Sequence, residues 1–582
     1  AAAAAAPTAA AAGAHRYKEG DAVEFFVNTV GPFSNSGETY AYYSLPFCQP
    51  EEVTTKRFSL GEVLEGANKQ SSLYDIRFRQ NVQWQSLCER TLSADDIARF
   101  RAAIAEYYYF EMFYDDLPVW GFVGSVVNDD GGDVVDAPGA VQHYLFKHLH
   151  FTVLYNEDQI IKINCTADTS KVVLLDDDAD ELKVEFSYSV EWHANPWPFA
   201  RRMELYEDSI WQQELEIHWL SIMNSCVLVA LLTGFLAVII MRVLKSDYAR
   251  YSRADDEDDD DSDYGWKLIH GDVFRFPPHK SLFAAFIGLG AQLLTTACGV
   301  LGLALLGSYY PANGGSMYTS LIVLYALSMV VGGYVAAALY KSMGGDAWSW
   351  NVVLVATLYV VPFFTVVMYV NSVAWYYHAT AALPFTTMLV VLAIYVFVGF
   401  PLALLGAIAG KHNAAPFDAP VRTKNFPREV PHIAWYRRWY TQMLMSGFLP
   451  FSAIYIELFY VFSSIWGHST FQLFGILCIV FVILIVVTAC ITIALTYFQL
   501  SMEDHRWWWS SFFSGGSTAF FIYLYAIFFY VWRSRMHGFL QGSLFFGYML
   551  MICYFFFIML GAVGWYSSLV FVRRIFSGIK TD

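Results

Sequence analysis

Residues 217–244, IHWLSIMNSCVLVALLTGFLAVIIMRVL, form the first apolar run long enough to cross a bilayer, so this chain has to satisfy a membrane before anything else. About 20 apolar residues at roughly 1.5 Å each span the hydrocarbon core. No charge interrupts the run between His218 and Arg242. It reads as a spanning helix, with Trp219 at the headgroup layer on entry and Arg242 and Lys245 at a cytosolic exit. Eight further runs follow, near 281–307, 318–340, 352–374, 384–409, 444–466, 471–500, 515–532 and 541–571. An odd number of spans puts the C-terminus opposite the N-terminal region. The loop charges agree: of twenty Lys and Arg after residue 216, eighteen fall on the side assigned to the cytosol and two, Arg533 and Arg535, on the other.

The expected fold class is therefore a polytopic α-helical membrane protein, a nine-span helical bundle with an N-terminal lumenal β-rich domain. A composition of 56% hydrophobic and 15% charged residues fits no ordinary soluble protein. The charge is divided: residues 1–216 carry a net −19 and the remainder +3, and an acidic soluble half argues against nucleic acid as a partner. Residues 1–14, AAAAAAPTAAAAGA, have neither Met nor a basic leader region; the expectation is a signal peptide already removed or an artificial alanine run, and they are left out of the reading. The expected layout is a lumenal β-rich domain at 15–216, the first transmembrane helix at 217–244, an acidic cytosolic loop at 245–280, eight helices across 281–571 and a cytosolic tail at 572–582.

In the lumenal part, alternating segments such as 22–30, 151–155 and 184–190 predict strands. Ser93 is placed to cap a helix over 93–108 with Ile97, Phe100, Ile104 and Tyr107 on one face. Cys48, Cys88 and Cys165 are the only cysteines before the first span. An oxidising lumen predicts a Cys48–Cys88 disulfide with Cys165 left over, a loop closure that contributes about 3–4 kcal/mol in the chain-entropy account. Asn164-Cys165-Thr166 is the single N-x-[ST] acceptor, placed between strands, which makes Asn164 a glycosylation candidate. His143, His148 and His150 have a metal reading, but with no clear fourth ligand the packing reading is stronger and no metal is expected. The acidic clusters at 129–136 and 176–181 lack ordered calcium-ligand spacing and read as solvated turns, as does the run of seven acids at 255–261 as a linker.

In the membrane part, Pro362, Pro401 and Pro450 interrupt spans, and Gly332-Gly333 and Gly515-Gly516 lie in or beside others. Glu457 is the single acid deep in a span. A charge there costs several kcal/mol, so it is either a functional group or a protonated carboxyl bonded to a neighbouring helix; the expectation is that it faces the interior and meets a polar group from another span. No catalytic constellation and no Walker or Rossmann glycine pattern is present, and neither an enzyme nor a cofactor is expected.

Several long motifs together resemble the nonaspanins, the transmembrane nine superfamily of endomembrane proteins. They are VNTVGPFSNSGETYAYYSLPFCQP (27–50), LGEVLEG (60–66), DDLPVWGFVG (115–124), IHWLSIMNS (217–225), GWKLIHGDVFRFPP (265–278), APVRTKNFPREVPHIAWY (419–436) and LTYFQLSMEDHRWWWSSFFSGGSTAF (495–520). The sequence departs from the family pattern at Ala67-Asn68, at Ser446 and Ser452, and at Ile433. The resemblance implies a protein of Golgi and endosomal membranes that sorts other membrane proteins and delivers them to the surface by recognising transmembrane segments rich in glycine. It also implies that Lys580, Thr581 and Asp582 form a cytosolic retrieval signal read by coat proteins. Trp507, Trp508 and Trp509, with Phe512 and Phe513, are expected as interfacial anchors at the cytosolic edge of the eighth span. The competing function is a secondary transporter or ion-coupled carrier using Glu457; no internal repeat supports it.

Overall fold

A computed structural model describes residues 15–56, 58–128, 141–175, 180–202, scattered positions across 205–249, and 265–309, 315–431, 435, 438–466 and 473–577. The clusters at 129–136 and 255–261, most of 176–181, the entry of the first span and the tail tripeptide lie outside the described residues.

The N-terminal region is built on three antiparallel-rich sheets. Phe25–Pro32 is the hub of the first, pairing with Tyr40–Ala41, Gln70–Ser71 and Tyr108–Tyr114, with Leu117–Phe122 beyond. The second has the order Gln159–Ala167, His148–Asn156, Glu181–Ala194, Val82–Ser93, with a parallel pairing between the two middle strands. The third joins Val172–Leu174, Val141–Phe146 and Gly124–Asn128. Alternate side chains from the first two sheets meet in one core that includes Val27, Phe110, Met112, Phe151 and Tyr188.

Local signals account for the short helices. Ser93 caps Ala94–Ala105 in a reciprocal box with Asp96, and Ile97, Phe100 and Ile104 are buried. Tyr107 falls past the helix end, in left-handed backbone (φ 52°) and 49% exposed, so it is not on the predicted face. Ser59 and Glu62 make the same box for Leu60–Glu65, which stops at Gly66 (φ 84°). Cys48 and Cys88, 40 positions apart, are joined by a disulfide; Cys165 is free and buried, and burial pushes its thiol up to about 12.

Among the described residues nine helices are long and apolar enough to cross a membrane: Val229–Ser246, Lys280–Leu305, Ser316–Ser342, Trp348–Tyr376, Phe385–Asn413, Tyr440–Ile465, Leu477–Ser501, Trp507–Arg533 and Phe539–Phe576. The chain is thus a polytopic helical membrane protein with an N-terminal β-rich region. The eighth span starts well before the expected 515, taking the three tryptophans into its first turn.

The β-rich region rests on one face of this bundle. Asn35 exchanges hydrogen bonds with the backbone of His537 between the eighth and ninth spans (2.9 and 3.0 Å), and the Gly37 N–H donates to Gln541 (3.1 Å). Thr39 meets Thr380 between the fourth and fifth spans (Oγ1–Oγ1 2.6 Å). Gly61 abuts Gly315 at the start of the third span, where the backbones are too close for any side chain. All three contacts lie on one side of the membrane, called here the proximal face, and the loops leading into the second, sixth and eighth spans lie on the distal face.

Candidate functional site

Hydrocarbon offers backbone and side-chain polar groups no partner, so polar atoms inside the bundle and breaks in its helices are where function is to be sought. The fifth span is broken. Pro401 has no N–H to offer the carbonyl four residues back, and the helix relaxes into a π-turn over Tyr395–Gly399 between Phe385–Ile394 and Phe400–Asn413. The Tyr395 hydroxyl donates to the Ala356 carbonyl (2.8 Å) and ties the turn to the fourth span.

The two halves behave differently. The second half lies along the third span, with Gly333 against the Ala403 backbone and Gly406 and Gly410 against the carbonyls of Val330 and Tyr334. This is the close approach that small residues permit in membranes. Among the described residues the first half leaves the third span and packs extensively only on its own π-turn. At its start Asn371 of the fourth span holds it, accepting from the Leu383 N–H (2.6 Å). Of its residues only Thr387 is buried, while Phe385, Leu389 and Val390, and Leu321 and Leu327 of the third span, stay exposed. Among the described residues nothing covers these side chains, which leaves an apolar opening beside the fifth span, in the proximal half of the membrane.

Next to it lies a buried polar cluster. Thr296 donates to the Gln292 carbonyl (3.0 Å) and its hydroxyl meets that of Ser328 (2.7 Å). The Gln292 amide, fully buried against Gly332, and the buried Tyr325 hydroxyl have no hydrogen-bond partner among the described residues. Tyr325 and Tyr359 are ring neighbours at 6.0 Å, and Tyr359 stacks on Tyr554 of the ninth span at 5.8 Å.

Glu457 is 2% exposed and points into the bundle, but the expected polar contact from another span is missing: neither carboxyl oxygen has a hydrogen-bond partner among the described residues. The reason is the composition around it. Ile454, Leu458 and Phe462 flank it on its own helix and pack with Val480, Leu484 and Val487 of the seventh span. Trp507 and Trp508 are not interfacial anchors either. They are 0% and 2% exposed, inside a core with Trp266, Phe283 and Trp565. Trp507 Nε1 donates to the Val273 carbonyl (2.8 Å), and the partly exposed Trp509 to that of Pro278 (3.1 Å). The 265–278 segment covers them, which turns would-be lipid anchors into clamps for a loop.

Asn164 lies within strand Gln159–Ala167 rather than between strands, exposed on the sheet's outer strand. The histidines are split between two strands: both ring nitrogens of His148 are taken up by Ser187 and Ser189 (2.9 and 3.0 Å), and His150 also meets Ser189 (2.8 Å). Of the residues singled out in the sequence, Cys48 and Cys88 are bonded to each other, and Trp507, Trp508 and Trp509 pack with Phe512 and Phe513. One site was not anticipated. Buried Asp115 accepts from Arg202 (2.7 Å), Tyr17 (2.6 Å) and His15 (2.7 Å) across sequence separations no local pattern reports.

The family model described as Endomembrane protein 70 matches residues 39–539. "Putative phagocytic receptor 1b" of Dictyostelium discoideum is 54% identical over 570 residues, 98% of this chain and 96% of that protein. "Transmembrane 9 superfamily member 4" of Arabidopsis thaliana is 50% identical over 569 residues, covering 98% and 95%. "Transmembrane 9 superfamily member 1" of Bos taurus is 47% identical over 580 residues, with the same coverage. No solved structure matches the chain.

Proposed function

The chain belongs to the Endomembrane protein 70 family, the transmembrane 9 superfamily of its relatives, and on that premise we propose that it sorts other membrane proteins toward the surface by seating a transmembrane segment beside its fifth span. The observation that carries this reading is the broken fifth span, whose first half stands away from the third and exposes apolar side chains to hydrocarbon. A client helix rich in small residues packs poorly against lipid but brings its backbone close to a partner, as Gly406 and Gly410 do within this bundle. The name of the Dictyostelium relative, a phagocytic receptor, is consistent with surface delivery. In this proposal the protein resides in Golgi and endosomal membranes with the β-rich region in the lumen and the tail in the cytosol. Coat proteins read Lys580, Thr581 and Asp582 there, and no catalytic step is involved.

A photo-crosslinking residue placed at Leu389, in the opening, is expected to capture client membrane proteins, and one placed at Ile408, on the closed half, to capture lipid alone. Pro401→Ala, which restores the missing donor and straightens the span, is expected to reduce the Leu389 crosslinks severalfold. Equal client capture at both positions would overturn the reading.

A further inference from the structure

On the distal face, away from the opening, a cavity of about 980 Å³ lies among the residues leading into the second span, those leading into the sixth, and the turn between the seventh and eighth. Three guanidiniums line it, those of Arg275, Arg438 and Arg506, against one carboxylate, Asp504. Two are already anchored: Arg275 to Asp272 (2.6 Å) and Arg506 to Asp504 (3.0 Å). Arg438, exposed at the cap of the sixth span, has no side-chain partner among the described residues.

The rest of the wall is of another kind. Met443, one turn into the sixth span, Phe513, two turns into the eighth, and Phe557, midway along the ninth, make an apolar lining that continues inward from the charged rim. Two further lining residues, His505 and Trp508, are 8% and 2% exposed, and His505 Nδ1 and Trp508 Nε1 are buried without a hydrogen-bond partner among the described residues. A buried polar atom left so is costly, and its persistence at a cavity wall marks a place where something polar is accommodated. A cavity with net positive charge at a membrane edge and an apolar inner wall matches an amphipathic anion, and a small soluble anion would leave the inner wall uncovered.

We propose that this cavity holds an anionic phospholipid of the distal leaflet, with its phosphate-bearing headgroup on Arg438 and an acyl chain against Phe513 and Phe557. Arg275 and Arg506, each balanced by its own carboxylate, frame the rim, and Arg438 carries the charge that closes on the phosphate.

The test uses full-length protein purified in detergent and titrated with a dioleoyl phosphatidylinositol monophosphate, bound species being counted by native mass spectrometry. Parallel arms use the deacylated headgroup and dioleoyl phosphatidylcholine. The anionic diacyl lipid is expected to bind more than tenfold tighter than either. Arg438→Gln is expected to weaken it about tenfold, the effect of losing one charged hydrogen bond, while Arg438→Lys retains most of the affinity. Should Arg438→Gln fail to fold, Arg506→Gln, whose side chain is 63% exposed, is expected to lower affinity severalfold. A headgroup that binds as tightly as the diacyl lipid would remove the acyl site. Equal binding of phosphatidylcholine, or unchanged binding in every Arg variant that folds, would remove the anion site.

Discussion

Asp115 shows how much one side chain can be asked to hold. Asp115 and Asp116 both have positive φ (50° and 59°), the two-residue turn that matches the twist of the hairpin between Tyr108–Tyr114 and Leu117–Phe122. The turn drives the Asp115 carboxylate inward, where Arg202, its side chain 6% exposed, also donates to the Ile160 carbonyl (3.1 Å) and stacks on Phe199. Removing Arg202 takes the guanidinium countercharge from a buried carboxylate that keeps Tyr17 and His15, so Arg202→Leu is expected to destabilise the β-rich region by about 3–5 kcal/mol, read from its denaturant midpoint. Glu457 is the opposite case. No described residue hydrogen-bonds its oxygens, so Glu457→Leu is expected to raise the thermal midpoint, in line with about 1–3 kcal/mol for an unmet buried polar group. Sorting is expected to survive that change; loss of sorting, or of a proton-linked flux, would give the carboxyl a function the packing alone does not supply. The sequence located Glu457 because a lone acid in an apolar run is conspicuous. It could not pair Asp115 with Arg202, 87 positions away, because nothing local distinguishes that carboxylate from its neighbour.

Helices were the most legible elements, and for a physical reason: a span must be apolar along its whole length, whereas a strand needs only half its positions buried. Ser93 was readable as a cap because the capping box is local. The tryptophans at 507–509 were misread because three aromatics beside a charged turn suit the headgroup layer equally well. What buries Trp507 and Trp508 is the 265–278 segment, more than two hundred positions earlier in the chain, together with Phe283, Phe417 and Trp565. Pro401 was visible as an interruption, but not that only one half of the fifth span would stay on the third. That depends on glycines facing backbone across two helices. At Gly406 a side chain would collide with the Val330 carbonyl, so Gly406→Leu is expected to force the spans apart at a cost of about 1–3 kcal/mol or more, seen as a lower thermal midpoint. Gly302, with no described atom within 4 Å of where a Cβ would go, is the control, and Gly302→Ala is expected to leave the midpoint unchanged or slightly raised.

At the scale of the whole molecule, charge and span parity gave an arrangement whose two faces are chemically distinct: the β-rich region on one, and a rim rich in arginine on the other. The tail belongs to the second face in the proposed topology. Replacing Lys580 and Asp582 with Ala, or extending the chain past Asp582, is expected to move the protein from the Golgi toward later compartments in fluorescence imaging. An unchanged distribution and unchanged coat capture would show that the address lies elsewhere.

The Thr39–Thr380 contact couples these parts mechanically. Thr380 sits in the short connection from which the first half of the fifth span departs, and Asn35, four residues before Thr39, grips the connection between the eighth and ninth spans. In the proposed seating, a helix that wedges that half outward pulls on residues 35–39 of the β-rich region, a strap whose two ends grip different connections of the bundle. If seating a client moves that strap, reciprocity requires that a ligand of the β-rich region which resists the movement weakens client entry by the same factor in affinity.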